Sequence, residues 1–180
     1  YQVNPHFLFN SLSTLKSMVE IGDAHAVDFI LKLADFYRFS LENRKMDIVP
    51  LDTEINILNA YMFLLKARFE DGIILEYELD DDAQSTFIPP FTLQLLAENC
   101  IKHNVVSLEK PLSIRLYRKD DILIMENKLQ LKNNPEASTS MGLENINERY
   151  LHLTGKEIAI EKDDVSFKVK LPLIYGNPDH

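Results

Sequence analysis

Up to about residue 70 the apolar positions of this chain recur every three or four residues, and beyond it many alternate. Near the start, Phe7, Leu8, Phe9, Leu12, Leu15 and Val19 gather on one side of a helical wheel turning about 100° per residue. His6, Asn10, Ser13 and Ser17 fall within roughly 60° of one another on the other side. The pattern predicts an amphipathic helix over residues 5 to 21, with His6 at the head of its polar stripe. Asn4 is placed to cap it, Pro5 suits a first turn in which a missing N–H costs nothing, and Gly22 ends it. A second helix begins after Asp23 and carries Val27, Ile30, Leu31, Ala34 and Leu41 at helical spacing. A third follows in "VPLDTEINILNAYMFLLKARFEDG" (49–72), with Asp52 as its expected cap and Gly72 as its stop.

The pattern then changes. "IILEYEL" (73–79) reads as a strand, and "PPFTLQLLAENCIKHN" (89–104) as a helix opened by prolines. "LSIRLYRKDDILIMEN" (112–127) reads as a hairpin whose first strand sets Leu112, Ile114 and Leu116 against Ser113, Arg115 and Tyr117. A polar stretch over 128–140 leads into a helix over 142–153 and two final strands that turn at Asp163-Asp164. The expected class is α+β: an all-helical segment over residues 1–70, then a segment over 71–180 whose sheet is covered on one side by helices.

Composition narrows the partners. The chain has 180 residues, 46% of them hydrophobic, enough to bury a core. Its net charge of −9, with no basic cluster, argues against nucleic acid or an anionic membrane surface. Cys100 is the only cysteine, so neither an intrachain disulfide nor a cysteine metal site is open to it, and a reducing compartment fits. No apolar run reaches the roughly 18 residues of a membrane span. The chain begins inside a motif, so a fragment of something longer is expected.

Three stretches carry more polar specificity than packing requires. The first is "NPHFLFN" (4–10). The second is "LAENCIKHN" (96–104), where Glu98 and Lys102, and Asn99 and His103, stand four apart on one helix. Taken alone, Glu98 and Lys102 read as a solvated helix pair; Asn99 is harder to dismiss, since Asn is a poor mid-helix residue without a side-chain role. The third is "SMGLENINERY" (140–150), where Gly142 opens a helix after a polar loop and the bare helix terminus can receive an anion.

These stretches, in this order, resemble the LytS-type sensor histidine kinases over nearly the whole chain. "QVNPHFLFNSL" (2–12) resembles the phosphoacceptor box of that family, "LQLLAENCIKHN" (93–104) its N box, and "SMGLENINERYLHLTG" (140–155) its last glycine box. The resemblance implies a dimerising helical segment followed by a GHKL-type ATP-binding sandwich. It implies His6 as the residue phosphorylated by ATP, Asn99 as a holder of Mg²⁺, and Glu98 as the candidate general base. Lys102 and His103 would lie near the phosphates, Gly142 in the last glycine box, and residues 128–141 would form a lid. It also implies a homodimer through the first two helices and a response regulator receiver domain as partner. A place as the cytoplasmic portion of an inner-membrane sensor protein follows, with any membrane contact made only through segments outside this stretch.

Three departures stand against the family pattern. The usual Asp-x-Gly-x-Gly after the hairpin is replaced by "MENKLQLK" (125–132), where Asn127 is the best match for the adenine-reading aspartate, with Glu126 beside it. An Asn oxygen still accepts from the adenine amine but loses roughly 1 kcal/mol of charge assistance, or about five- to tenfold in affinity. Ser140-Met141-Gly142 stands where the family has Gly-x-Gly, and Asn104 replaces the glycine that ends the N-box helix, a mild change if Asn takes the left-handed cap. The alternative reading is a non-catalytic signalling module that keeps the fold and dimerises with weakened or lost nucleotide binding. ATPases sharing the nucleotide fold have no reason to carry the first box.

Overall fold

The computed structural model describes residues 4–133 and 141–176. Three helices come first: α1 (Pro5–Glu20), α2 (Ala26–Asn43) and α3 (Leu51–Phe69). The Asn4 side chain accepts from the His6 and Phe7 amides at 3.1 and 3.4 Å, Pro5 opens the first turn, and Gly22 leaves α1 with a φ of 69°. At α3 both expected boundaries shift. Pro50 holds the N-cap position without a side-chain bond, and Asp52 lies in the first turn, where its charge favours the positive end of the helix dipole. The helix ends at Phe69, and Gly72 instead closes a short 3-10 turn (Glu70–Gly72). A side chain at Gly72 would come within 3.3 Å of the Ser107 backbone, so close approach, not helix termination, explains this glycine.

A mixed five-stranded sheet runs in the order β2-β4-β5-β7-β6. Its strands are β2 (Ile73–Glu78), β4 (Leu112–Lys119), β5 (Ile122–Lys128), β6 (Ala159–Lys162) and β7 (Ser166–Pro172). Only β2 and β4 pair in parallel, which demands a crossover, and α5 (Thr92–His103) lies in it. Helix α6 (Met141–Thr154) falls between β5 and β6. Two short strands, β1 (Val49–Pro50) and β3 (Phe87–Ile88), make a separate antiparallel ribbon, and α4 (Asp81–Gln84) is a single turn. Elements this short carry no readable period.

The alternation expected for the hairpin decides which face is dry. Leu112, Ile114, Leu116, Leu123, Met125, Val169 and Leu171 are buried. Arg115, Glu126 and Lys168 share the opposite face, where Arg115 meets Glu78 at 2.9 Å and Glu126 at 3.5 Å, and Lys168 stands 3.7 Å from Glu126. Partly exposed pairs of this kind are worth about 0–1 kcal/mol each, so they keep that face wet more than they hold the fold.

The three N-terminal helices are joined to one another through aromatic rings. Phe7 of α1 sits 5.5 Å from Phe36 of α2 and 5.2 Å from Tyr61 of α3, and the Phe36 ring lies 5.9 Å from Tyr61. Pairs in this range add roughly 0.5–1.5 kcal/mol each beyond their buried area. Some apolar positions of α1 and α2 are left out of this packing: Phe9, Val19 and Val27 are 67%, 64% and 65% exposed. Among the described residues no helix is long and apolar enough to cross a membrane.

Candidate functional site

Helix α5 is gripped at both ends. At its start Phe91 takes a left-handed φ of 66°, and the Thr92 hydroxyl donates to the Pro89 carbonyl at 2.7 Å. The orphan amides of the first turn are met from another helix: the Glu54 carboxylate of α3, fully buried, accepts from the Thr92 N–H at 2.8 Å. Burial pushes the Glu54 carboxyl up to about 8, opposed by the Thr92 amide and by the charge of Arg149. Arg149 of α6 donates to the Pro90 carbonyl at 2.6 Å, which ties α6 to the approach to α5.

At the far end Asn104 corrects an expectation. It takes φ −117° and ψ 152°, which is extended and not left-handed. Its side chain does the capping: Nδ2 donates to the Cys100 carbonyl at 2.8 Å, and Oδ1 accepts from the Gln130 amide at 2.9 Å. Gln130 donates onward to the Val105 and Lys110 carbonyls, and the Lys132 amide donates to the His103 carbonyl at 3.1 Å. The first part of the stretch expected to form a lid is thereby fastened to α5, and residues 134–140 lie outside the described residues.

Two cavities flank this helix. The first, of about 240 Å³, is lined by Asn99, Cys100 and His103 of α5, Asn127 of β5, Leu143 and Lys162. Asn127 is 2% exposed. Its Nδ2 donates to the Lys128 carbonyl at 2.9 Å, and its Oδ1 accepts from the Cys100 thiol at 3.3 Å. Because a carbonyl can only accept, the Lys128 contact fixes which way the amide points. Burial pushes the Cys100 thiol up to about 12, so it stays a protonated donor. Glu126, the alternative neighbour, is on the wet face with Arg115 and Lys168. Burial, with Lys102, Lys132 and Lys162 behind it, holds the His103 imidazole below its ordinary value.

The second cavity, of about 510 Å³, brings together His6 and Asn10 of α1, Arg68 of α3, Glu98 and Lys102 of α5, and Lys132. The Glu98 carboxylate accepts from Gln94 at 3.0 Å and forms no ion pair with Lys102 among the described residues, contrary to the solvated-pair reading. Burial raises the Glu98 carboxyl above its usual range, with the Gln94 bond opposing. Its charge in turn helps burial push Tyr37 up to about 12. His6 itself is exposed, as the polar stripe predicts.

The structure thus sorts the expected residues into two sets, His6, Glu98 and Lys102 on one side of α5 and Asn99, His103 and Asn127 on the other. Gly142 lines neither cavity: it sits in the first turn of α6 with nothing within 4 Å of where a Cβ would stand. Sequence reasoning missed Lys132, Lys162 and Glu54. None lies in one of the three polar stretches singled out above, and each is brought in by tertiary pairing.

The histidine kinase family profile matches residues 1–73. The sensor protein LytS of Staphylococcus haemolyticus is 32% identical over 176 residues, covering 88% of this chain and 30% of that protein. The sensor histidine kinase/phosphatase LytS of Staphylococcus aureus (strain MRSA252) is 31% identical over 182 residues, covering 92% of this chain and 31% of that one. The chain therefore spans about 30% of the length of these curated relatives. A solved bacterial phosphotransferase, 13% identical, shares the fold with a TM-score of 0.50 over 92% of this chain and 89% of its own.

Proposed function

From the premise that this chain belongs to the LytS-type sensor histidine kinase family, we propose that it is a transmitter in which ATP phosphorylates His6 and the phosphoryl group then passes to an aspartate of a response regulator receiver domain. The observation that carries the reading is the sharing of one cavity by His6, Glu98 and Lys102, with Asn99 and Asn127 across the same helix.

The chemistry follows from positioning and charge. The imidazole of His6 directs a ring-nitrogen lone pair at the γ-phosphorus. The bond from that phosphorus to the β–γ bridging oxygen breaks, and ADP leaves with the electron pair. The proton on the other ring nitrogen departs to a base, for which Glu98, the carboxyl that lines the same cavity with its affinity for protons raised by burial, is the candidate. Lys102 offsets charge on the moving group, and Asn127 accepts from the adenine amine. His103, neutral, borders the nucleotide without adding charge.

Mg²⁺ would be held by the Asn99 amide oxygen together with the phosphates. Among the described residues no cluster of three His, Cys, Asp or Glu side chains could hold a metal alone, and this fits an ion that arrives with its nucleotide. When bound it supplies charge neutralisation at the phosphates. Residues 1–70 would be the dimerising phosphoacceptor segment and 71–180 the nucleotide-binding one. The exposed apolar face of α1 and α2 suits a second copy in a four-helix bundle, and sedimentation at high concentration should show a homodimer. The stretch would be the cytoplasmic portion of an inner-membrane sensor.

Incubation with γ-labelled ATP and Mg²⁺ tests the reading: an acid-labile label is expected on the chain and falls to background in His6→Gln, with nucleotide affinity and fold unchanged. Label that survives on that variant removes His6 from the role. Absence of label on the unaltered chain, with nucleotide still bound, favours the non-catalytic module.

A further inference from the structure

The cavity around His6 collects positive charge in a chain whose net charge is −9. Arg68, Lys102 and Lys132 line it, and Glu98 is the one carboxylate among the described residues of its wall. None of the three cations forms an ion pair among the described residues; Arg68 lies instead over the Phe69 ring at 4.8 Å. Cations gathered without acidic partners make a place for an anion. On the other side of α5 the nucleotide cavity begins one residue away in sequence: Glu98, Ile101 and Lys102 face His6, Asn99, Cys100 and His103 face Asn127, and Asn104 lines both cavities. The two spaces therefore meet at the last turn of α5.

The two walls are tied together, and His6 already stands in the same cavity as Glu98. Phe7, next to His6, packs on Phe36 and Tyr61, which fixes α1 to α2 and α3. Glu54 of α3 holds the start of α5, and Asn104 holds its end. A histidine arriving from a second copy would meet a cavity already lined by the chain's own His6, and could enter only after α1 had given up the Phe7 contacts. Resting on the kinase reading above, we propose that phosphoryl transfer runs within a single chain, from a nucleotide at Asn99 and Asn127, over the last turn of α5, to His6 of that chain, with Arg68, Lys102 and Lys132 as the cations it meets. The bonds are those already described: nitrogen–phosphorus forms, phosphorus–oxygen breaks with its electrons leaving on ADP, and one proton departs from the imidazole.

Mixed dimers separate the routes. One chain carries His6→Gln and the other Asn99→Ala, each with its own affinity tag, purified through both tags in turn. Transfer within a chain leaves both at background, since one lacks the acceptor and the other the nucleotide contact. Transfer between chains labels the Asn99→Ala chain, and label there near half that of the unaltered dimer overturns the proposal. A second readout needs no turnover: Asn10→Cys with Ile101→Cys in a Cys100→Ala chain, treated with a short bis-maleimide. A bridge within the chain is expected, seen as a mass gain without a dimer band, and a covalent dimer as the main product overturns the proposal. Failure of the unaltered dimer to label sinks the kinase reading and this one with it, whereas label appearing only between chains sinks this one alone.

Discussion

On one side of α5 a narrow cavity is bordered by an amide that is 2% exposed and held by two hydrogen bonds; on the other a space about twice the volume is bordered by an exposed histidine, three cations and one carboxylate. The two are made by adjacent residues of the same helix. On the proposed function, the difference teaches how one element would serve recognition and transfer together. Recognition needs a fixed donor–acceptor pattern, which burial and full hydrogen bonding provide. Transfer needs charge placed where the phosphoryl group passes, and that tolerates exposed, mobile side chains. Single substitutions on the two walls should therefore fail in different ways.

The largest separation is expected between Asn99→Ala and Arg68→Ala. On the proposed reading Asn99→Ala would remove the protein's ligand for Mg²⁺, and nucleotide affinity in Mg²⁺ should drop roughly 10- to 100-fold, the scale seen when a metal site loses support. Labelling falls with it. Arg68 is on α3, away from the first cavity, so Arg68→Ala should leave calorimetric ATP affinity unchanged while the labelling rate falls about tenfold, the worth of one charge-assisted contact. Arg68→Lys should restore part of the rate. Equal loss of ATP affinity in both variants would erase the distinction between the walls.

How far the sequence carried this picture depends on the reach of each signal. The long elements were legible because amphipathic periods over ten or more residues are hard to mistake, and Asn4, Pro5 and Gly22 mark α1 locally. The ribbon of Val49–Pro50 with Phe87–Ile88 was not, since two residues hold no period and their partners lie far apart in the chain. Asn104 locally suits a left-handed cap, yet Gln130, distant in sequence, bonds its side chain while the backbone stays extended. Glu54 reads as an ordinary acidic residue of a first helical turn; only its contact with Thr92, 38 positions away, makes it a buried cap. The motif boxes marked His6, Glu98, Asn99 and His103, while Lys132 and Lys162 reach the cavities through loop and strand pairing that no local pattern encodes.

Glu54 gives the next largest effect, and it should touch both walls alike because it anchors the helix they share. Its folded carboxyl sits near 8, against an ordinary value of 4.5, with Arg149 and Tyr150 of α6 and the first amides of α5 as its charged and polar neighbours. Between those values the folded state keeps a proton that the unfolded chain has released. The stability contributed by this group is thus full below pH 4.5 and is lost as pH rises toward 8. Glu54→Gln keeps an oxygen for the Thr92 amide and does not titrate. The thermal midpoint of the parent, relative to this variant, should fall between pH 5 and 8, by no more than about 1.4 kcal/mol per pH unit in free energy. A flat difference across that range would mean that the carboxyl ionises normally in place.

The smallest effect lies in the recognition wall and tests its rigidity most closely. Asn127→Asp gives the adenine amine a charged acceptor, which should tighten ATP by roughly tenfold or less and leave GTP untightened, since GTP presents a carbonyl where ATP presents an amine. The structure adds a cost. Asn127 Nδ2 donates to the Lys128 carbonyl at 2.9 Å, and an aspartate has no hydrogen to give, so an oxygen would face an oxygen there. An unmade buried bond of this kind costs about 1–3 kcal/mol of stability, so the variant should melt earlier even as it binds ATP more tightly. Calorimetry with both nucleotides and a melting curve without either would read the two effects separately. Unchanged or weaker ATP binding, with the melting point lowered as expected, would leave Asn127 as a structural amide of the wall and move adenine recognition elsewhere in the first cavity.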